Sequence, residues 1–269
     1  MKKNTLIAVA VGVVVFFGVL TAYYYWQHSP PKTEPVQVQA PPPPPPPPPK
    51  PEVRQVIEAP PAPPPLPTLA DSDSLMLDAL AGLVGNKSLM KLFHTERIIR
   101  NIVATIDNLP GRRAPMRVMP VERAPGEFII AGTEDDRTIS PKNAARYTPY
   151  VEFAEAVDAK KLVGLYVRLY PLFQQAYEEL GYPKKYFNDR LIVVLDDLLA
   201  APDIKEPIRL VQPSVYYKFA DPDLEGRSIG QRILMRTGSK NEAIIKGKLR
   251  AIKQELMLHV REKKVDNAG

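Results

Sequence analysis

The strongest hydrophobic signal in the chain is one unbroken block. Leu6 to Trp26 reads LIAVAVGVVVFFGVLTAYYYW, 21 residues without a charge or a proline. As a helix rising ~1.5 Å per residue it would be about 31 Å long, close to the thickness of a bilayer's hydrocarbon core. Beyond residue 70 the pattern changes. Apolar positions recur every three or four residues between polar punctuation, as in amphipathic helices that share a core. The pattern predicts a tether followed by a helical domain.

In the domain, Asp71 to Leu83 predicts a first helix that stops at Gly85, and a short one follows around Lys87–Phe93. Thr95 is placed to cap ERIIRNIVATIDNL, where Ile98, Ile99, Ile102, Val103 and Ile106 form one stripe before Pro110-Gly111. Met116–Val121 and Glu127–Ala131, separated by Arg-Ala-Pro-Gly, predict a small hairpin. Ser140-Pro141 and Thr148-Pro149 each open a helix. Asp158 caps a long helix over Ala159–Leu180, with a kink expected at Pro171. Pro183 begins another, KKYFNDRLIVVLDDLLAAP, apolar enough for the middle of a bundle. Ile208–Val211 and Val215–Phe219 are a second strand-like pair. Ser228 precedes a helix reaching Thr237, and Ser239 with Glu242 reads as a capping box for a last helix over Lys240–His259.

The fold class expected is mainly α. One α-rich globular domain carries two small β-hairpin-like elements and is preceded by a transmembrane helix and a proline-rich stalk. The expected boundaries are a cytoplasmic N-terminus over 1–5, the span over 6–26 and a polyproline II linker over 27–67. The α-rich domain then covers 68–260, and a flexible basic tail covers 261–269.

Composition changes this picture in three places. Of the 31 prolines, 19 fall within Pro30–Pro67, including the run Pro41–Pro49. Proline fixes φ and lacks an N–H, so the segment favours an extended, semi-rigid spacer. Lys2 and Lys3 precede the apolar block, and the next basic residue is Lys32. The positive-inside rule then puts the N-terminus in the cytoplasm and the domain outside it. Leu6, Val13, Phe16, Phe17 and Leu20 supply the apolar anchor, and Tyr23, Tyr24, Tyr25 and Trp26 the aromatic belt at its outer end. Cleavage as a signal peptide after Ala22 is the competing reading, weakened by the length of the run and by the absence of a clear A-x-A site before the aromatic cluster. Third, the net charge of +6 is carried by the C-terminal segment, where residues 227–264 hold 11 Lys/Arg against three Asp/Glu. With no cysteine, disulfides and thiolate metal sites are excluded.

Candidate chemistry is sparse. His28, His94 and His259 stand in no metal-ligand spacing. Glu134-Asp135-Asp136 reads as a solvated turn. Asp196 and Asp197 diverge by ~100° on a helix, so they cannot both face one site. No P-loop, G-x-S-x-G or dinucleotide fingerprint occurs, so no catalytic residue, metal or cofactor is expected and the chain reads as a non-enzyme. Two features suggest a binding surface. Tyrosines are dense in the central helices, and Tyr147, Tyr150 and Tyr170 could line a groove for a glycan or peptide. The last helix is basic, and Lys246, Arg250 and Lys253 could meet anionic lipid or cell-wall carboxylates.

Five ordered segments carry a resemblance: ATIDNLP (104–110), ISPKNAARYTPYV (139–151), LYPLFQQAYEELGYP (169–183), YFNDRLIVVLDDLLAAP (186–202) and IRLVQPSVYYKFADPDLE (208–225). They resemble bacterial domain-of-unknown-function family 3014, membrane-anchored proteins of Gram-negative bacteria. The resemblance implies a cell-envelope location and transfers no activity. The expected role is a single-pass inner-membrane protein whose periplasmic domain is an adaptor or scaffold for another envelope protein. A peptidoglycan- or glycan-binding module is the alternative, an envelope-acting enzyme ranks last, and nucleic acid is not an expected partner.

Overall fold

The computed structural model describes residues 53–57, 65–84, 87–205 and 207–264. The anchor Leu6–Trp26, the run Pro41–Pro49 and residues 265–269 lie outside the described residues. Among the described residues, no helix is long and apolar enough to cross a membrane.

The described chain is mainly helical. Helices α1 (Asp73–Leu83), α2 (Ile98–Asn108), α3 (Thr148–Ala156), α4 (Ala159–Glu179) and α5 (Phe187–Leu199) come first. The short α6 (Pro222–Glu225) and α7 (Ile229–Arg236) then lead into α8 (Ser239–His259). Helix α2 packs on α4 and α5, and α8 runs along α3, α4 and α5. The main core joins Met76 and Leu80 of α1, Ile98, Ile99 and Val103 of α2, Leu169, Phe173 and Tyr177 of α4, and Phe187 of α5. Phe187, fully buried, stacks on Phe173 with centroids 5.9 Å apart and lies 5.5 Å from Tyr177. Burying such a side chain contributes ~1.5–3 kcal/mol.

Most starts follow the sequence signals. Asp158 Oδ1 accepts from the Lys161 N–H at 2.8 Å, and Ser228 Oγ from that of Gln231 at 3.2 Å. Ser140 Oγ accepts from Lys142 N–H at 3.3 Å over a 3-10 segment, Pro141–Tyr147. Two starts differ. Thr95 does not cap α2. Arg97 turns left-handed (φ 52°), the chain enters the helix only at Ile98, and the carboxylate of Asp73 accepts from Arg97 N at 2.6 Å and Ile98 N at 2.8 Å. Nor does Glu242 close a capping box. It is 3% exposed and faces Lys246 one turn on.

The first hairpin is also built otherwise. Met116–Val118 is a 3-10 turn, and β2 (Ile130–Ala131) pairs with β3 (Thr138–Ile139) instead. Pro120 deprives the expected first strand of a donor. Gly132 (φ +87°) makes the turn, where a Cβ would sit 2.1 Å from the Asp136 carbonyl oxygen. The acidic triple 134–136 is exposed on this loop, as expected. The second hairpin forms as read, from β4 (Leu210–Val211) and β5 (Lys218–Phe219). Ile139 N–H donates to Ile208 O at 3.0 Å and Leu210 N–H to Arg137 O at 2.8 Å, joining the two pairs into one patch. Its small core is Ile139, Ile208, Leu210, Phe219 and Met235.

A third pairing was not anticipated. Within the span read as linker, β1 (Val53–Ile57) pairs antiparallel with β6 (Val260–Lys264), Val53 opposite Lys264, so residues read as tail are strand. VRQVI is a β-branched, proline-free stretch between Pro51 and Pro60, long enough for one short strand.

The Asp73 cap is testable. Asp73→Ala should cost ~1–2 kcal/mol in urea unfolding, the usual effect of losing an N-cap, with Asp73→Asn recovering part of it. An unchanged midpoint for Asp73→Ala would remove the cap from this account.

Candidate functional site

An apolar concavity of the helical body forms where five helical stripes meet. On α5, Phe187, Leu191, Val194, Leu195 and Leu198 recur at helical spacing, so they share a face. On α2, Ile102, Ile106 and Leu109 do the same, and on α8 Leu249, Ile252 and Leu256. Met76 and Leu80 of α1 and the Leu162–Phe173 face of α4 complete the walls. They enclose a cavity of about 350 Å³ that is partly open to solvent. Tyr166 carries the one polar group among the lining side chains. Its hydroxyl is buried with no hydrogen-bond partner in the protein, and burial pushes its pKa well above the ordinary phenol value. Behind α4, Asn188 is fully buried with neither side-chain amide atom bonded to the protein.

The cavity falls within the ~300–1,000 Å³ range of natural ligand pockets. Its wholly apolar surface suits an apolar occupant.

The residues singled out from sequence are placed elsewhere and do not come together. Tyr150 donates its hydroxyl to Glu122 O at 2.8 Å, while Tyr147 lies under the Arg146 guanidinium, 5.7 Å from its ring centroid. Tyr170 donates to Gln174 Oε1 at 3.1 Å and packs edge-on to Tyr166, and burial with the nearby Asp189 pushes its pKa up. Part of the basic face is committed within the protein. Lys246, expected at the surface, is 3% exposed and donates to Ala201 O and Asp203 Oδ1, both at 2.7 Å. Lys248 donates to Val157 O, and Lys253 pairs with Asp196. Arg250 alone of the three chosen basic residues is exposed.

The pattern has a physical cause. Ala201 and Val157 lie just past the C-termini of α5 and α3, where the last carbonyls lack helical partners and the dipole is negative. Lysines of α8 supply the missing donors. Asp196 and Asp197 are both engaged, Asp197 accepting from Ser228 Oγ at 2.7 Å and Gln231 Nε2 at 3.0 Å. Arg190 pairs with Asp107 at 2.8 Å across to α2. His94 pairs with Glu122 at 3.1 Å. Among the described residues no cluster of His, Cys, Asp and Glu has the arrangement to hold a metal ion.

The profile of the family described as "Protein of unknown function (DUF3014)" matches residues 98–253. The chain belongs to this family. The DUF3014 match starts at the first residue of α2 and ends inside α8, so it takes in most of the cavity wall but not α1. No curated protein and no solved structure matches the chain.

The buried pair at the head of α8 gives a pH-dependent prediction. Glu242 has its pKa raised, chiefly by burial, with Lys246 3.8 Å away opposing the shift. A carboxyl raised in the folded state adds stability below its ordinary pKa and loses it as pH rises through the raised value. Glu242→Gln should therefore flatten the decline in Tm as pH rises above about 4.5. Lys246→Met should destabilise by about 3 kcal/mol at neutral pH, because Glu242 is left charged without its cation, and by less near pH 4. A Lys246→Met cost independent of pH would contradict this coupling.

Proposed function

We propose that the chain is a single-span inner-membrane protein that presents its DUF3014 domain in the periplasm as a non-catalytic adaptor for another envelope protein. The order of uncharged span, proline spacer and folded domain supports the tethered layout. The two lysines ahead of the span support the orientation.

The observation that carries the adaptor role is the β4–β5 turn. Val215 is 83% and Tyr216 78% exposed, beside Val211 at 45%. Singly exposed apolar residues are ordinary, but a Val-Tyr pair at a loop tip offers a contact anchor of the kind interfaces use. The tip is held from behind, since Arg236 donates to Tyr217 O at 3.0 Å and stacks over Phe219. The glycan-binding alternative has less support, because Tyr150 and Tyr170 spend their hydroxyls within the protein.

A photocrosslinking residue replacing Tyr216 in the full-length chain, in cells, should capture one envelope protein. The same residue at exposed Arg250 should not. The adduct should vanish when Val215→Ser is added, with the domain's Tm unchanged. Muropeptide adducts, or the same capture from both positions, would overturn the adaptor reading. A C-terminal alkaline phosphatase fusion should be active, and an inactive fusion would overturn the orientation.

A further inference from the structure

We propose that the apolar cavity of the helical body is a binding site for the acyl chain of a lipid. The inference does not depend on the adaptor role, and its test takes the membrane tether as the internal control. Form is the first ground. The cavity is lined by apolar stripes of α2, α4, α5 and α8 and is partly open to solvent, so a ligand can bury an apolar body and leave a polar end outside.

Chemistry is the second ground. The surface of the void is wholly apolar, and Tyr166 shows it only ring carbons because its hydroxyl is buried behind the wall. A sugar, nucleotide or charged peptide entering it would give up hydration and regain no hydrogen bond. An acyl chain gives up nothing of the kind. Size is the third ground. The void is more than twice the ~150 Å³ of a dry engineered cavity that takes up benzene, and it falls in the range of natural ligand pockets. It is partly open to solvent, and Ile102, Leu165, Leu191 and Leu249 on its walls remain half-buried. The polar head of the ligand stays at that opening.

The test uses full-length protein in cells fed a diazirine-bearing fatty acid, irradiated, and mapped by peptide mass spectrometry. Adducts are expected on the α4 and α5 peptides. They should fall to background in Leu249→Trp and in Ile102→Phe, which fill the void from opposite walls, and persist in Leu249→Met, which keeps its volume. Adducts on the Leu6–Trp26 segment serve as the internal control and should not change. Melting curves establish which filling variants are folded, and a folded one of the two suffices. The adduct mass separates a phospholipid chain from a free fatty acid, and either supports the proposal. Adducts confined to Leu6–Trp26, or cavity adducts undiminished in a folded filling variant, would overturn it.

Discussion

Every helix ends with carbonyls that have no partner inside the helix, and in this domain the last helix supplies several of the missing donors. Lys246 reaches past the end of α5 and Lys248 past the end of α3, while Lys253 pairs with Asp196 in the final turn of α5. Each contact places a cation at the negative end of a helix dipole. Exposed pairs of this sort contribute little, but Lys246 is buried and its loss strands Glu242. The charge that looks like a ligand surface in the sequence is largely a set of internal fasteners. It locks α8 against two helices that are far from it in the chain.

The apolar residues of α8 also form one wall of the cavity. Leu256 packs with Val163, Val167 and Leu195 of α4 and α5, with Leu249 and Ile252 against that cluster, and these three α8 residues border the void. An occupant would add the dispersion contacts that the void withholds from its lining.

Local signals in the chain were largely sufficient for the elements. The stripe in α2, the caps at Asp158, Ser140 and Ser228, and the β4–β5 pair are all formed. Each depends on residues within a few positions of one another. What escaped depends on long separations. Asp73 caps a helix 24 residues on, and Lys246 and Lys248 find carbonyls 45 and 91 residues away. No periodicity shows that a lysine on a basic face is aimed at another helix's end. The partner of β2 depended on Gly132 accepting a positive φ, and that of β1 on a strand at the opposite end of the chain. The lining residues were each legible as core. That they fail to fill the space between them is a property of three dimensions, invisible to pattern.

The central claim is that α8 is an integral wall of the bundle, fastened by its lysines, and not a solvated basic helix laid on its surface. Hydrogen–deuterium exchange of the full-length protein tests it most directly, read peptide by peptide under native conditions. The account predicts that residues 244–256 exchange with α4 and α5, in the slowest cooperative unit of the molecule. Exchange of α8 well ahead of those helices, as an independently opening segment, would contradict it.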